Sequence, residues 1–174
     1  MYAPRLGFAG QAVTMRLTLA ALLILISPFA WAEEWRGPAR VVDGDTVIVA
    51  GTRLRLISLD APEGDQTCLT AAETQYDCGQ AATQELERLI GGRPIGCSGE
   101  KRDRYGRPLV VCFAGAVNLN AELVRSGWAL SYLGRDFDAE EAEARRAQRG
   151  LWQGRFQTPQ EWRRAGRRAQ APNE

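Results

Sequence analysis

Apolar and polar side chains alternate along residues 39–50 and again along 52–59, the two-residue period of half-buried β-strands, with Ala50-Gly51-Thr52 as the turn between them. In the second run Leu54, Leu56 and Ser58 fall on one face, and Arg53, Arg55 and Ile57 on the other. Asp43-Gly44-Asp45 interrupts the first run, and a glycine there predicts a bulge or tight bend. Pro62 ends the second, since proline cannot donate to a ladder. Residues 65–78 read as loop. The period then becomes helical: Ala81, Ala82, Leu86, Leu89 and Ile90 form one stripe over 79–90, stopped by Gly91-Gly92. Strands at 93–99 and 107–114 flank the charged hairpin EKRDRYGR. A second helix over 117–126 has Asn118 or Asn120 as its cap and Gly127 as its stop, and the apolar piece 128–133 follows. Residues 138–148 make a third helix with acids first and arginines last, the order that suits the helix dipole. Gly150 ends it, and Leu151 and Trp152 turn back toward the core. A further short helix is predicted over 159–168, and the last residues, 169–174, are expected to lack fixed structure.

The start of the chain follows another pattern. Arg5 and Arg16 are the only charges before Glu33, residues 17–30 are apolar, and Ala30-Trp31-Ala32 is a small-x-small cleavage site. This predicts a signal peptide over 1–32, cut after Ala32, and an exported, periplasmic or secreted protein. The apolar run is shorter than the roughly 20 residues of a membrane span; an uncleaved anchor is the alternative. Met15-Arg16 would make a more ordinary start than Met1. The remaining chain divides into a domain over 33–155 and an Arg-rich polar tail over 156–174, expected to strengthen non-specific binding of nucleic acid at low salt.

Composition changes this picture in three ways. After residue 32 the chain carries 20 basic and 21 acidic residues, so bulk charge does not mark a nucleic-acid binder. Of the 22 basic residues in the whole sequence only Lys101 is not arginine, which fits bidentate phosphate binding and equally fits a GC-rich genome. Four cysteines behind an export signal imply two disulfides among three possible pairings. Cys97 and Cys112 flank the hairpin and can face each other across strands; Cys68 and Cys78 would then close a short loop. The chain has no histidine, which argues against a Cys/His zinc site and removes the usual base for a cysteine nucleophile.

The candidate chemistry lies where charge breaks the strand pattern. Residues 41–63 hold Asp43, Asp45, Asp60, Glu63 and Arg55. Asp45 and Asp60 sit at the rims of neighbouring strands, and convergent carboxylates need a proton or a cation between them. Carboxylates with carbonyl and water oxygens form a hard-oxygen site, suited to Ca²⁺ or Mg²⁺. The alternative is a pair of solvated turn aspartates. A metal, a free carboxylate and two arginines, Arg55 and Arg107, suit attack of water on a phosphodiester.

The strings VVDGDTV, LRLISLDAPE, CGQAA, RDRYGR, NLNAELVRSGWA and RGLW, in this order across residues 36–153, resemble the staphylococcal nuclease (thermonuclease-like) family. The resemblance implies a mainly β fold with helices, a five-stranded OB-fold barrel with three helices. It implies a Ca²⁺-dependent phosphodiesterase that acts on DNA and RNA and leaves 3′-phosphates; separately, a monomer with no protein partner is expected. By position, Asp45 and Asp60 would bind calcium with the backbone carbonyl of Ala61, and Asp43 would support them from alongside. Arg55 and Arg107 would grip the phosphate, and Glu63 would activate water. Arg104 and Tyr105 match positions near the bound nucleotide, and Tyr132 matches a nucleotide-stacking tyrosine. The family often has Thr where this chain has Ala61. The competing reading is a non-catalytic OB-fold module that binds nucleic acid.

Overall fold

The computed structural model describes residues 32–170. The apolar leader therefore lies outside the described residues, apart from Ala32, and so do the last four residues of the chain. Among the described residues no helix is long and apolar enough to cross a membrane.

Strand β1, Glu33–Gly37, is followed by β2, Ala39–Asp43, β3, Thr46–Val49, and β4, Thr52–Leu56. The last three form an antiparallel meander with a register shift between Val41 and Asp43, the irregularity expected at Asp43-Gly44-Asp45. The alternation in β4 is as read from the sequence: Leu54 and Leu56 are buried, Arg53 is exposed and Arg55 is half-buried. The two-residue strand β5, Leu59–Asp60, follows.

Residues 65–78 are more ordered than a loop, because they contain β6, Cys68–Thr70, and β7, Gln75–Tyr76, a small antiparallel pair. Helix α1, Cys78–Ile90, buries Ala82, Leu86 and Ile90 from the expected stripe and ends on Gly91, whose N–H donates to the Glu87 carbonyl at 2.9 Å.

Strands β8, Ile95–Arg102, and β9, Pro108–Ala114, pair antiparallel. Glu100, Lys101 and Arg102, assigned to the hairpin by their charge, belong to β8. The strand continues through them after an irregularity between Ser98 and Lys101. Leu109, opposite Lys101, is also the parallel partner of Arg55. That β4–β9 pairing closes the meander onto the hairpin. The sheet order is β1-β8-β9-β4-β3-β2, a curled half-barrel in which only β4 and β9 run parallel. The charged residues after Ala32 have no apolar alternation to mark a strand. Even so, β1 extends the sheet by pairing with β8 from Glu33↔Gly99 to Gly37↔Ile95.

Strand β10, Val117–Asn118, pairs with β9 and leads into helix α2, Leu119–Arg125. Of the two candidate caps, Asn118 accepts from the Ala121 N–H. Asn120 is fully buried and works differently. Its Oδ1 accepts from Cys112 N at 3.0 Å, and its Nδ2 donates to the carbonyls of Ile57 and Val110 at 3.0 and 3.1 Å, fixing the β4–β9 seam.

Strand β11, Leu130–Ser131, pairs with β5, setting Leu130 opposite Asp60. Helix α3, Asp138–Arg146, ends two residues short of the expected 148, since Gln148 takes a left-handed backbone conformation at φ 50°. Strand β12, Gly154–Arg155, pairs with β6. Helix α4, Pro159–Gln170, runs two residues beyond the predicted 168.

The barrel core, with Val47, Leu54, Leu56, Leu86, Val110 and Leu123, is supplemented by a small satellite of Cys68, Cys78 and Leu151 under the β6–β7 loop. Both expected disulfides are present. Cys97–Cys112 joins register partners of β8 and β9 inside the barrel, and Cys68–Cys78 ties the loop to the first residue of α1. This curled sheet with helices is the barrel-plus-helix architecture expected, extended beyond five strands and three helices by β1, the short strand pairs and α4.

Candidate active site

The site begins with the bend between β2 and β3. The Asp43 carboxylate accepts from Asp45 N at 3.1 Å, an Asx turn that fixes the bend and leaves Asp43 to support Asp45 rather than face the cluster. Gly44 meets a wall of small residues. A Cβ placed on it would lie 2.8 Å from the Ala61 Cβ and 2.9 Å from the Ala82 Cβ. Only glycine lets the bend approach α1 this closely. The Asp45 carbonyl then accepts from Leu56 N at 2.8 Å, which brings Asp45 beside β4.

Asp45 and Asp60, 4% and 2% exposed, converge on one guanidinium. Arg55 reaches the Asp45 carboxylate through Nη1 at 2.9 Å and Nη2 at 2.8 Å, and its Nη2 lies 3.0 Å from Asp60 Oδ1. Asp45 also accepts from the Thr46 hydroxyl at 3.0 Å and from Ala61 N at 3.4 Å. One arginine thus serves two buried carboxylates. Burial pushes the Asp45 carboxyl from 3.8 up to about 7, against the pull of Arg55 and Thr46 and with the help of Asp43 and Asp60.

This has a measurable consequence. The folded-state value of Asp45 lies above its unfolded one, so its contribution to stability is present in full below about pH 4 and is lost as pH rises through about 7. Asp45→Asn stays neutral throughout. Urea unfolding with chelator present is expected to find this variant about 1–3 kcal/mol more stable than wild type at pH 8, with the difference shrinking toward zero near pH 4; the loss of a partner for Arg55 keeps the gain below the full linkage value. Equal stability at both pH values would refute this account of Asp45.

Glu63 follows Pro62 on the turn after β5, and its backbone is held on two sides. Gln66, 1% exposed, accepts from Glu63 N through Oε1 at 3.2 Å, and Gln66 N donates to the Glu63 carbonyl at 2.8 Å. In the first turn of α1, a Cβ on Gly79 would lie 1.9 Å from the Glu63 carbonyl oxygen, so glycine is required there too. Neither Gln66 nor Gly79 stood out in the sequence; an amide and a glycine near a turn carry no charge signal.

The structure brings Asp45, Arg55, Asp60 and Glu63 together, but it does not bring Arg107 into direct contact with them. Arg107 precedes β9, two positions before Leu109, so the strand period places it on the same outer face as Arg55. Its Nε donates to Asp103 Oδ2 at 2.7 Å, and its N–H to Asp103 Oδ1 at 2.9 Å. Tyr105, at the hairpin tip, is 70% exposed. Arg104 lies over its ring at 4.7 Å and donates to its hydroxyl at 2.6 Å. Tyr132 is half-buried and tied through its backbone N–H to the Ser58 carbonyl at 2.9 Å, just past the β5–β11 pair.

A second arginine enters the cluster from outside the expected set. Arg163 of α4 donates from Nη1 to Glu63 Oε1 at 2.7 Å and to Asp60 Oδ1 at 3.1 Å, and from Nη2 to Asp60 Oδ2 at 2.9 Å. Burial works against its charge, but hydrogen bonds and attraction from Asp60 and Glu63 prevail and raise its pKa above that of free arginine. From sequence it was one of several arginines in a polar tail. Only the folding back of α4, about a hundred residues downstream of Asp60 in sequence, gives it a role.

The ion pairs therefore run Asp45–Arg55–Asp60–Arg163–Glu63, three carboxylates joined by two guanidinium groups. Among the described residues no three or more His, Cys, Asp or Glu side chains close on a single point fit for an ion. The donors that do converge are hard carboxylate oxygens with bound cationic groups, the chemistry of an alkaline-earth cation completed by carbonyl and water oxygens.

Comparison with known proteins agrees with this geometry. The family model described as staphylococcal nuclease homologue matches residues 53–154. The chain is similar to the micrococcal nuclease of Shigella flexneri, 34% identical over an alignment of 175 positions, with 89% of this chain and 95% of that protein covered. It is similar to the succinoglycan biosynthesis protein ExoI of Rhizobium meliloti (strain 1021), 40% identical over 139 residues, 79% of this chain and 70% of that one. An uncharacterized endonuclease of Escherichia coli O157:H7 is 33% identical over an alignment of 148 positions, with 79% of this chain and 90% of that protein covered. With the curled sheet, the bend at Asp43-Gly44-Asp45 and this run of matches, the chain belongs to the staphylococcal nuclease family.

Proposed function

We propose that the protein is an exported, Ca²⁺-dependent nuclease that hydrolyses phosphodiester bonds of DNA and RNA and leaves 3′-phosphates. The nuclease activity rests on the family and on relatives named as a micrococcal nuclease and an endonuclease. The observation that carries the reading is the convergence of Asp45 and Asp60 on Arg55, with Glu63 next to Asp60 through a shared cation. The residues that would hold Ca²⁺ are Asp45, Asp60 and the Ala61 carbonyl, hard oxygen donors of the kind that ion takes. Such an ion would supply charge neutralisation at the phosphoryl oxygens.

The chain's own groups do the rest. Arg55 donates hydrogen bonds to a non-bridging phosphate oxygen and stabilises the charge that grows there during attack. Arg107, on the same face, gives a second positive fork once substrate competes with Asp103 for it. A guanidinium stays protonated above pH 12, so Arg107 stabilises charge and does not donate the leaving-group proton. Glu63, held from behind by Gln66 and Gly79, accepts the proton of the attacking water. The exposed Tyr105 ring with Arg104 over it offers a stacking surface for a base beside the site. Export is supported by the apolar leader pattern and by two disulfides, which persist in oxidising compartments.

The deciding experiment is digestion of single-stranded DNA by the purified protein with Ca²⁺ or with chelator. Cleavage in Ca²⁺, and a loss of at least about a hundredfold on chelation, is the expected result. Cleavage that survives chelation would overturn the metal dependence. Binding without cleavage in either condition would identify a non-catalytic module instead.

A further inference from the structure

Helix α4 is built to approach the site and held there by its first half. Thr158 and Glu161 form a capping box: Thr158 N donates to Glu161 Oε2 at 2.8 Å, and Glu161 N donates to Thr158 Oγ1 at 3.2 Å. The preceding segment is anchored by Gln66, whose Nε2 donates to the Gln157 carbonyl at 2.8 Å. Pro159 is buried, and Trp162 Nε1 donates to Asp65 Oδ1 at 3.3 Å. One residue on, Arg163 takes both oxygens of Asp60 and one of Glu63. Beyond Arg163 the helix has no such footing: residues 164–169 are exposed. An element fixed by a cap, a few hydrogen bonds and one ion-pair group is among those that open locally at low cost.

The contacts of Arg163 fall on the groups that catalysis needs. Both Asp60 oxygens accept from it, so a cation arriving at Asp60 meets oxygens already committed and a like charge beside them. The Glu63 oxygen it holds is one that would otherwise accept a proton from water.

We propose that α4 is an autoinhibitory latch: the guanidinium of Arg163 holds the Asp60–Glu63 pair in the resting protein, and a divalent cation at Asp60 and the docked helix exclude one another. This rests on the reading of Asp60 as a cation ligand and Glu63 as the water-activating carboxylate. The resting enzyme is closed, and Ca²⁺ opens it by displacing its own internal cation. The apparent Ca²⁺ affinity of the wild-type chain is therefore reduced by the fraction of molecules that are open.

The test uses the full chain, wild type and Arg163→Gln, with Ca²⁺ alone as the probe. Calorimetry is expected to show that R163Q binds Ca²⁺ about tenfold more tightly, the factor for a latch closed in about nine molecules of ten. In wild type, saturating Ca²⁺ is expected to speed hydrogen exchange at the amides of 162–170 by about tenfold, with the barrel strands unaffected. The latch is refuted if R163Q and wild type bind Ca²⁺ equally, or if exchange in α4 does not respond to Ca²⁺. The two readings separate. Wild-type DNA cleavage with equal Ca²⁺ affinities overturns the latch and leaves the nuclease. Tighter Ca²⁺ binding and a released helix, with no cleavage by either protein, support the latch and overturn the nuclease. Absence of Ca²⁺ binding by both proteins overturns the latch together with the metal dependence.

Discussion

Replacing Arg55 by Gln is expected to lower kcat by about a thousandfold and also to destabilise the metal-free protein by about 3–5 kcal/mol. The two effects share one cause. Among the described residues, Arg55 is the only cationic group that touches both Asp45 and Asp60. Without it two carboxylates at 4% and 2% exposure face each other with Arg163 on one of them alone. A stability of 5–15 kcal/mol, usual for a domain, barely tolerates such a loss. The stability defect is therefore expected to diminish when Ca²⁺ is added, since a cation then stands between the carboxylates, whereas the activity defect is not. Arg55→Lys separates the two roles. Its ammonium restores part of the neutralisation but lacks the planar fork that meets two acceptors at once. Thermal melts of both variants with and without Ca²⁺, beside steady-state kinetics on single-stranded DNA, make the comparison. Full activity in R55K would show that charge alone is needed at this position.

Glu63→Gln is expected to reduce kcat by about 10²–10⁴-fold with little change in stability. The side chain is half-buried, and Arg163 is its partner across the cluster, so the fold depends little on its charge. Its backbone is the constrained part, fixed by Gln66 and by the close approach of Gly79, and glutamine leaves that unchanged. The variant should keep its Ca²⁺ affinity within a few-fold or bind more tightly, because weakening the Glu63–Arg163 pair also loosens α4. A kcat within threefold of wild type would move the proton-accepting role to another group.

Both predictions concern residues that announce themselves in the sequence, for a physical reason. Charged side chains in an apolar alternation conflict with burial, and Asp45, Arg55 and Asp60 stand in that conflict. Leu54 and Leu56 likewise reveal β4 by their period. What could not be read is what depends on distant parts of the chain meeting. Asn120 resembles a helix cap because local sequence offers it that use, yet the seam between β4 and β9 claims it. The polar Glu33–Gly37 segment has no apolar period, because as an edge strand it contributes backbone hydrogen bonds more than buried side chains. Residues 65–78 resemble a loop because their order comes from partners elsewhere: β12 pairs with β6, and a disulfide ties Cys68 to α1. Arg163 belongs to the same class, as one arginine among several until α4 folds back.

The contact between Gly44, Ala61 and Ala82 sets a limit on how this enzyme can vary. The wall behind the charged groups has no slack. Even a single methyl on Gly44 falls within 3 Å of two neighbours. Ala61, where the resembled family often carries threonine, is one of those neighbours. A side chain at position 44 therefore requires a shift or a matching reduction at Ala61 or Ala82. Variation over evolutionary time is left to positions outside the wall, the exposed residues 164–169 of the C-terminal helix among them.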